Sequence, residues 1–132
     1  MLFRKRTEKQ KIGKKGEDIA VKFLIEKGYK ILDRNYRSRR NEIDIVALDR
    51  GEMVFVEVKS TATPSAIDYK APCEAVNRHK KDCLIACAID YIKDKKQKAR
   101  GYRFDVIEVY LYNDTPEINH IENAFYIKER TY

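Results

Sequence analysis

Two carboxylates in this chain, Asp44 and Glu57, lie where a sheet has no use for them. Each sits in a segment whose alternation reads as a β-strand, Glu42 to Leu48 (EIDIVAL) and Met53 to Lys59 (MVFVEVK), with residues 49–52 as a short hairpin connection. Closing the hairpin with Leu48 opposite Met53 sets Val46 against Phe55, Asp44 against Glu57 and Glu42 against Lys59. A two-residue turn at Arg50-Gly51 gives the same register. Directly opposed side chains have Cβ atoms about 5 Å apart, and like charges there destabilise a sheet. Asp44 and Glu57 therefore need a shared proton or a divalent cation between them. Mg²⁺ suits the second solution, because it takes one or two carboxylates, keeps several waters and leaves positions for a substrate phosphate. Lys59, on the same face as Glu57, adds a fixed positive charge. Taken alone, Glu42, Asp44, Glu57 and Lys59 are equally well explained as ordinary cross-strand ion pairs on a solvated face.

The elements that must position these groups supply two more. Residues 13–28 read as a helix ended by Gly28, with Ala20, Leu24, Val21 and Phe23 on one side. Glu17 projects into that apolar sector, where a carboxylate needs a partner. A second helix is expected from Cys73 to Ile92, its stripe being Val76, Leu84, Cys87, Ala88 and Tyr91, with Lys80 four residues from both Val76 and Leu84. Further strands are expected at Lys30–Tyr36, Arg103–Leu111 and Ile121–Ile127, the last two separated by a turn around residues 113–116, and a loop at Thr61–Pro72. The order αβββαββ, with strands apolar on both faces, predicts an α/β fold: a mixed sheet flanked by helices.

The chain has 132 residues, enough for one domain. Its net charge of +7 favours a polyanionic partner. That charge is concentrated: residues 1–15 carry +6, residues 34–40 carry +4 and residues 93–103 carry +5, around a remainder that is acidic. We expect a basic, flexible arm at 1–12 and a single domain at 13–132. Arg37, Arg39 and Arg40, with Lys14 and Lys15, are the candidate nucleic-acid contacts, Arg in particular for its two parallel bonds to phosphate. No apolar run approaches the 18 to 20 residues of a membrane span, no export signal is visible and three cysteines make no disulfide framework, so a cytoplasmic protein with reduced thiols is expected. His79, Cys83 and Cys87 do not form a zinc site, since His79 and Cys87 stand about 12 Å apart along a helix. Gly13-Lys14-Lys15-Gly16 lacks the length and ending of a phosphate-binding loop.

The ordered set of Glu17 after Gly13-Lys14-Lys15-Gly16, Arg34-Asn35-Tyr36-Arg37, Glu42-Ile43-Asp44-Ile45-Val46-Ala47, Phe55-Val56-Glu57-Val58-Lys59, Lys80 and Arg103-Phe104-Asp105-Val106 resembles the YraN-like uncharacterised protein family. That family is similar to archaeal Holliday-junction resolvases and falls in the PD-(D/E)XK nuclease superfamily. The resemblance implies a restriction-endonuclease-like fold and a Mg²⁺- or Mn²⁺-dependent endonuclease acting on DNA, with Asp44, Glu57 and Glu17 at the metal. Lys59 would orient or activate the attacking water, and Lys80 matches the lysine of the second helix. A homodimer is implied by the same likeness, since symmetric cutting of two strands needs two sites. The chain departs from the family at Asn41, Ile43 and Ser60-Thr61, and lacks a glycine from Ala66 to Pro72. A non-catalytic nucleic-acid-binding protein on the same fold is the rival reading.

Overall fold

Thr7 starts the first helix. In a computed structural model, which describes residues 6–63 and 78–125, Thr7 Oγ1 accepts from the Gln10 N–H at 3.1 Å and Gln10 Oε1 accepts from the Thr7 N–H at 2.9 Å. This reciprocal cap sets helix α1 at Glu8–Glu26, five residues earlier than the apolar periodicity predicts. Residues 8–12 of the expected flexible arm are therefore helical. At the other end Gly28, with φ 96°, closes the helix as expected: its N–H bonds Ile25 O and the Tyr29 N–H bonds Leu24 O at 2.9 Å.

Strands β1 (Lys30–Ser38), β2 (Asn41–Asp49), β3 (Glu52–Thr61), β4 (Gly101–Tyr110) and β5 (Glu117–Phe125) form one sheet in that order. All neighbours are antiparallel except β3 and β4, which run parallel and are linked across helix α2 (Arg78–Lys95). The αβββαββ order is the one expected. Both two-residue turns, Arg39-Arg40 and Arg50-Gly51, have φ > 0 at each residue, the geometry that matches strand twist in a tight hairpin. Arg39 and Arg40 adopt it without a glycine. β5 begins four residues earlier than alternation suggests, and α2 runs through Lys95 into the lysine-rich stretch. Residues 1–5 of the expected arm, the start of the expected second helix, most of the expected 61–72 loop and the last two residues of the expected final strand, Tyr126 and Ile127, lie outside the described residues.

Each face of the sheet carries a core layer. Ala20 and Leu24 of α1 pack with Tyr29, Ile45, Ala47, Val54, Val56, Ile107 and Val109. Leu84, Cys87, Ala88 and Tyr91 of α2, the described members of the predicted stripe, pack on Val46, Phe55, Phe104, Val106 and Phe125. Cys87 is thus a buried thiol, while Cys83 is partly exposed beside His79, its Sγ 3.7 Å from Nε2.

Gly16 sets how closely α1 can approach the sheet. A Cβ there would stand 2.8 Å from Ser60 Cβ, closer than side-chain carbons pack, and would overlap Ser60 Oγ. Overpacking of this kind costs about 1–3 kcal/mol. Gly16→Ala is therefore expected to lower stability by about 1 kcal/mol even after the ~1 kcal/mol that Ala adds to a helix interior. Ser60→Gly in the same chain should restore it. Urea unfolding of the two variants tests this, and a Gly16→Ala protein as stable as wild type would show that the contact does not seat α1.

Candidate metal and phosphate site

The β2–β3 hairpin keeps the predicted register from Asp49↔Glu52 to Ile45↔Val56 and then opens. The Val58 N–H, two residues further along β3, bonds the Asp44 side chain, at 2.8 Å to Oδ2. This break also reverses the alternation: Ile43 joins the α2 layer while Ile45 belongs to the α1 layer. Strict alternation along Glu42–Leu48 puts Ile43, Ile45 and Ala47 on one face; the structure corrects that, and with it the flat Asp44–Glu57 cross-strand pair. The physical reason is the Asp44 carboxylate, which takes the place of a β2 carbonyl as the acceptor for β3.

Asp44 is partly buried and sits among like charges. Burial is the largest influence on its carboxyl, followed by the charge of Glu57, and Glu17 and Glu42 add to it; against the opposing Val58 hydrogen bond, they push it from 3.8 up to about 8. The carboxylates singled out in the sequence thus act on one another across three elements, α1, β2 and β3.

Glu17 is held through a residue that the sequence reading gave no role. Asn35 lies on β1 with φ 53°, in the left-handed region that Asn tolerates. With its amide oriented to suit both neighbours, its nitrogen donates to Glu17 Oε1 at 2.7 Å and to Glu42 Oε1 at 2.8 Å. Partial burial and the Glu42 charge raise the Glu17 carboxyl above its usual range. Asn35 was legible only as part of a motif, because nothing in strand alternation marks a residue whose backbone leaves the strand conformation.

The expected cations are distributed differently. Lys80 is half-exposed and not part of the buried stripe, yet its Nζ reaches Glu57 Oε1 at 3.5 Å. Lys59 shares the Glu57 strand and makes no ion pair among the described residues. Arg37 pairs with Glu42 at 3.2 Å, and Arg39 with Asp90 at 3.1 Å. Asp90 is ten residues from Lys80, about 15 Å along α2, so Arg39 stands apart from the carboxylates. Arg40 is exposed in the turn, Lys15 is exposed on α1, and Lys14 pairs with Asp18 at 3.7 Å.

All four clustered acids offer carboxylate oxygen, the donor type of a hard cation such as Mg²⁺ or Mn²⁺. Among the described residues no three His, Cys, Asp or Glu side chains stand close enough to hold an ion together. The arrangement fits an ion that takes one or two carboxylates and fills its remaining positions with water and phosphate.

A second buried charge cluster lies on the α1 side of β4. Asp105 Oδ1 and Oδ2 accept from Arg103 Nε and Nη2 at 2.9 and 3.0 Å, and Oδ2 accepts from His120 Nε2 at 2.7 Å. Lys27 Nζ, which can only donate, lies 2.9 Å from His120 Nδ1, so the ring places its proton on Nε2, toward Asp105. Arg103 also reaches Asp49 at 3.2 Å and Glu52 at 2.8 Å. Here each carboxylate is met by hydrogen-bond donors, and the cluster reads as structural.

A mixed five-stranded α/β sheet whose central hairpin opens onto clustered carboxylates is the class of protein that the fold and site define. The chain belongs to the uncharacterised protein family UPF0102, whose profile matches residues 16–109. It is 41% identical over 124 residues to the UPF0102 protein TTE1452 of Caldanaerobacter subterraneus subsp. tengcongensis, covering 92% of this chain and 99% of that one. It is 45% identical over 120 residues to the UPF0102 protein Cphamn1_0017 of Chlorobium phaeobacteroides, covering 86% and 93%. It is 47% identical over 110 residues to the UPF0102 protein CD630_12710 of Clostridioides difficile, covering 83% and 92%.

Proposed function

We propose that the protein is a Mg²⁺- or Mn²⁺-dependent endodeoxyribonuclease with branched or junction DNA as its substrate class, acting in the cytoplasm and as a homodimer where two strands are cut. The observation that carries the reading is the part-buried Asp44 carboxyl, pushed up to about 8 beside Glu57 at the point where β2 and β3 part. Asp44 and Glu57 would hold the ion, with Glu17 completing its surroundings. When bound, such an ion supplies Lewis-acid polarisation of a phosphate. The chain's own groups do the rest. The Val58 N–H fixes Asp44, Asn35 fixes Glu17, and Lys80 orients Glu57. Lys59 stands ready to stabilise the negative charge that develops at phosphorus as a water attacks and the leaving oxygen departs. Among the described residues no helix is long and apolar enough to cross a membrane.

A binding protein that does not cut is the second reading, favoured by the absence, among the described residues, of a ready three-ligand set. The two part on divalent metal. Under the nuclease reading, Mn²⁺-dependent nicking of a panel of junction, flap, single-stranded and duplex DNA falls about 10²–10³-fold in Glu57→Ala and in Lys59→Ala, while DNA affinity holds. Wild-type protein that binds Mn²⁺ no better than Glu57→Ala and cuts no DNA form would leave only the binding reading.

A further inference from the structure

Arg6 has no ion-pair or hydrogen-bond partner among the described residues. It lines an open pocket of about 320 Å³ between the first turns of α1 and strand β1, together with Gln10, Lys14, Glu17, Arg34 and Asn35. That volume equals about ten waters at ~30 Å³ each, and it falls at the lower end of the ~300–1,000 Å³ of small-ligand pockets. It has room for more than a bare ion.

The two ends of the pocket differ in chemistry. Arg6, Lys14 and Arg34 bring three positive charges, and two of them share one carboxylate: Asp18 Oδ1 lies 2.7 Å from Arg34 Nη2 and 3.7 Å from Lys14 Nζ. Gln10 has committed its Oε1 to the Thr7 N–H, which leaves N–H donors as its free polar atoms. This end donates. At the other end Asn35 commits its amide nitrogen to Glu17 and Glu42, so Asn35 Oδ1 and the Glu17 carboxylate remain as acceptors. A ligand complementary to both ends carries an anion able to accept from several donors and, a few bonds away, a hydroxyl or amino group able to give a proton. A nucleotide has both, in its phosphate and in its sugar or base.

The geometry points to this pocket as a subsite for one nucleotide of the substrate strand, its phosphate between Arg6, Lys14 and Arg34. The occupant's place in a substrate strand rests on the nuclease reading, since Glu17 belongs both to the pocket and to the carboxylate cluster. Arg6, Gln10 and Arg34 are not among the residues that the sequence singled out for nucleic acid.

Thymidine 5′-monophosphate is the probe, titrated into the protein at low salt without divalent metal and followed by NMR. Saturable shifts at the Gly13, Lys14 and Asn35 amides are expected. Arg6→Ala with Lys14→Ala, two exposed positions whose loss should leave the melting temperature unchanged, raises Kd at least tenfold. Thymidine without its phosphate should give no saturable shift. A double variant that binds within twofold of wild type overturns the subsite, and inorganic phosphate binding as tightly as the nucleotide overturns its assignment to a nucleotide. Glu57→Ala, outside the pocket, should keep nucleotide affinity while losing Mn²⁺-dependent nicking. Nicking by wild type together with unchanged nucleotide affinity in the double variant removes the subsite and keeps the nuclease. No nicking by wild type, with affinity lost in the double variant, does the reverse.

Discussion

Asp44→Asn is expected to make the metal-free protein more stable than wild type at pH 8 while abolishing its response to divalent metal. Asn keeps an oxygen for the Val58 N–H at 2.8 Å, so the join between β2 and β3 survives. What it removes is a charge that burial and Glu57 oppose. Because the folded carboxyl titrates near 8 and its ordinary value is 3.8, unfolded chains ionise first. Wild-type stability should therefore decline as pH climbs from about 4 to about 8, and the variant should lose much of that slope. Each tenfold difference in proton affinity between the folded and unfolded chain is worth about 1.4 kcal/mol. A gain of about 1–3 kcal/mol at pH 8 in chelator, measured by urea unfolding, is the expected size. Adding Mn²⁺ should reverse the ranking, since an ion that binds only the folded state stabilises by about 2.7 kcal/mol at a hundred times its Kd. An Asp44→Asn protein less stable than wild type in chelator would mean that the carboxylates are already neutralised by their protein neighbours.

The break that makes Asp44 so exposed to its neighbours' charge is also what the sequence could not supply. Register follows from local chemistry: Arg50-Gly51 can make the tight turn, and every pair from Asp49↔Glu52 to Ile45↔Val56 then follows by counting. Counting assumes a regular pleat, and it fails at the residue whose side chain replaces a backbone acceptor. Asn35 escapes for a related reason, since its φ of 53° breaks the two-residue alternation by which strand faces are assigned. The start of α1 shows the complementary limit. Apolar periodicity marks only where a helix packs, whereas Glu8 to Ile12 are helical because Thr7 and Gln10 cap one another. Lys80 was legible as a charge turned toward the sheet, but a long side chain reaches Glu57 from an exposed position. Three of the proposed site groups, Glu17, Asp44 and Glu57, were thus readable by type and element. Their supports were not, because the Val58 donor is a backbone N–H and the Asn35 amide is aimed by a backbone that leaves the strand conformation.

Among the described residues, Asp105→Asn should be the most destabilising single polar change, and its cause is the opposite of the one at Asp44. Burial by itself would push the Asp105 carboxyl up, as it does at Asp44. Hydrogen bonds from His120 and Arg103, the Arg103 charge and the Asn123 N–H outweigh burial and hold Asp105 below the usual carboxylate range. Its side chain is fully buried, and those of Arg103 and His120 are 6% and 3% exposed. An amide at position 105 leaves one oxygen for donors that now have two, and sets an NH₂ against the guanidinium or the imidazole. Breaking a buried pair in this way costs about 3–5 kcal/mol. For a domain of this size that lowers the melting temperature by about 10 °C or more. Since the folded carboxyl is depressed, wild-type stability from this group is present above about pH 4 and is lost as pH falls through the folded value, and Asp105→Asn should remove that acid-side slope. Urea midpoints for wild type and variant from pH 7 down to pH 3 test both statements. A variant within 1 kcal/mol of wild type at pH 7 would show that Asp49 and Glu52, which also reach Arg103, carry the pairing by themselves. Burial alone therefore does not mark a carboxylate as functional: at Asp105 the donors answer the charge, and at Asp44 the surrounding carboxylates add to it.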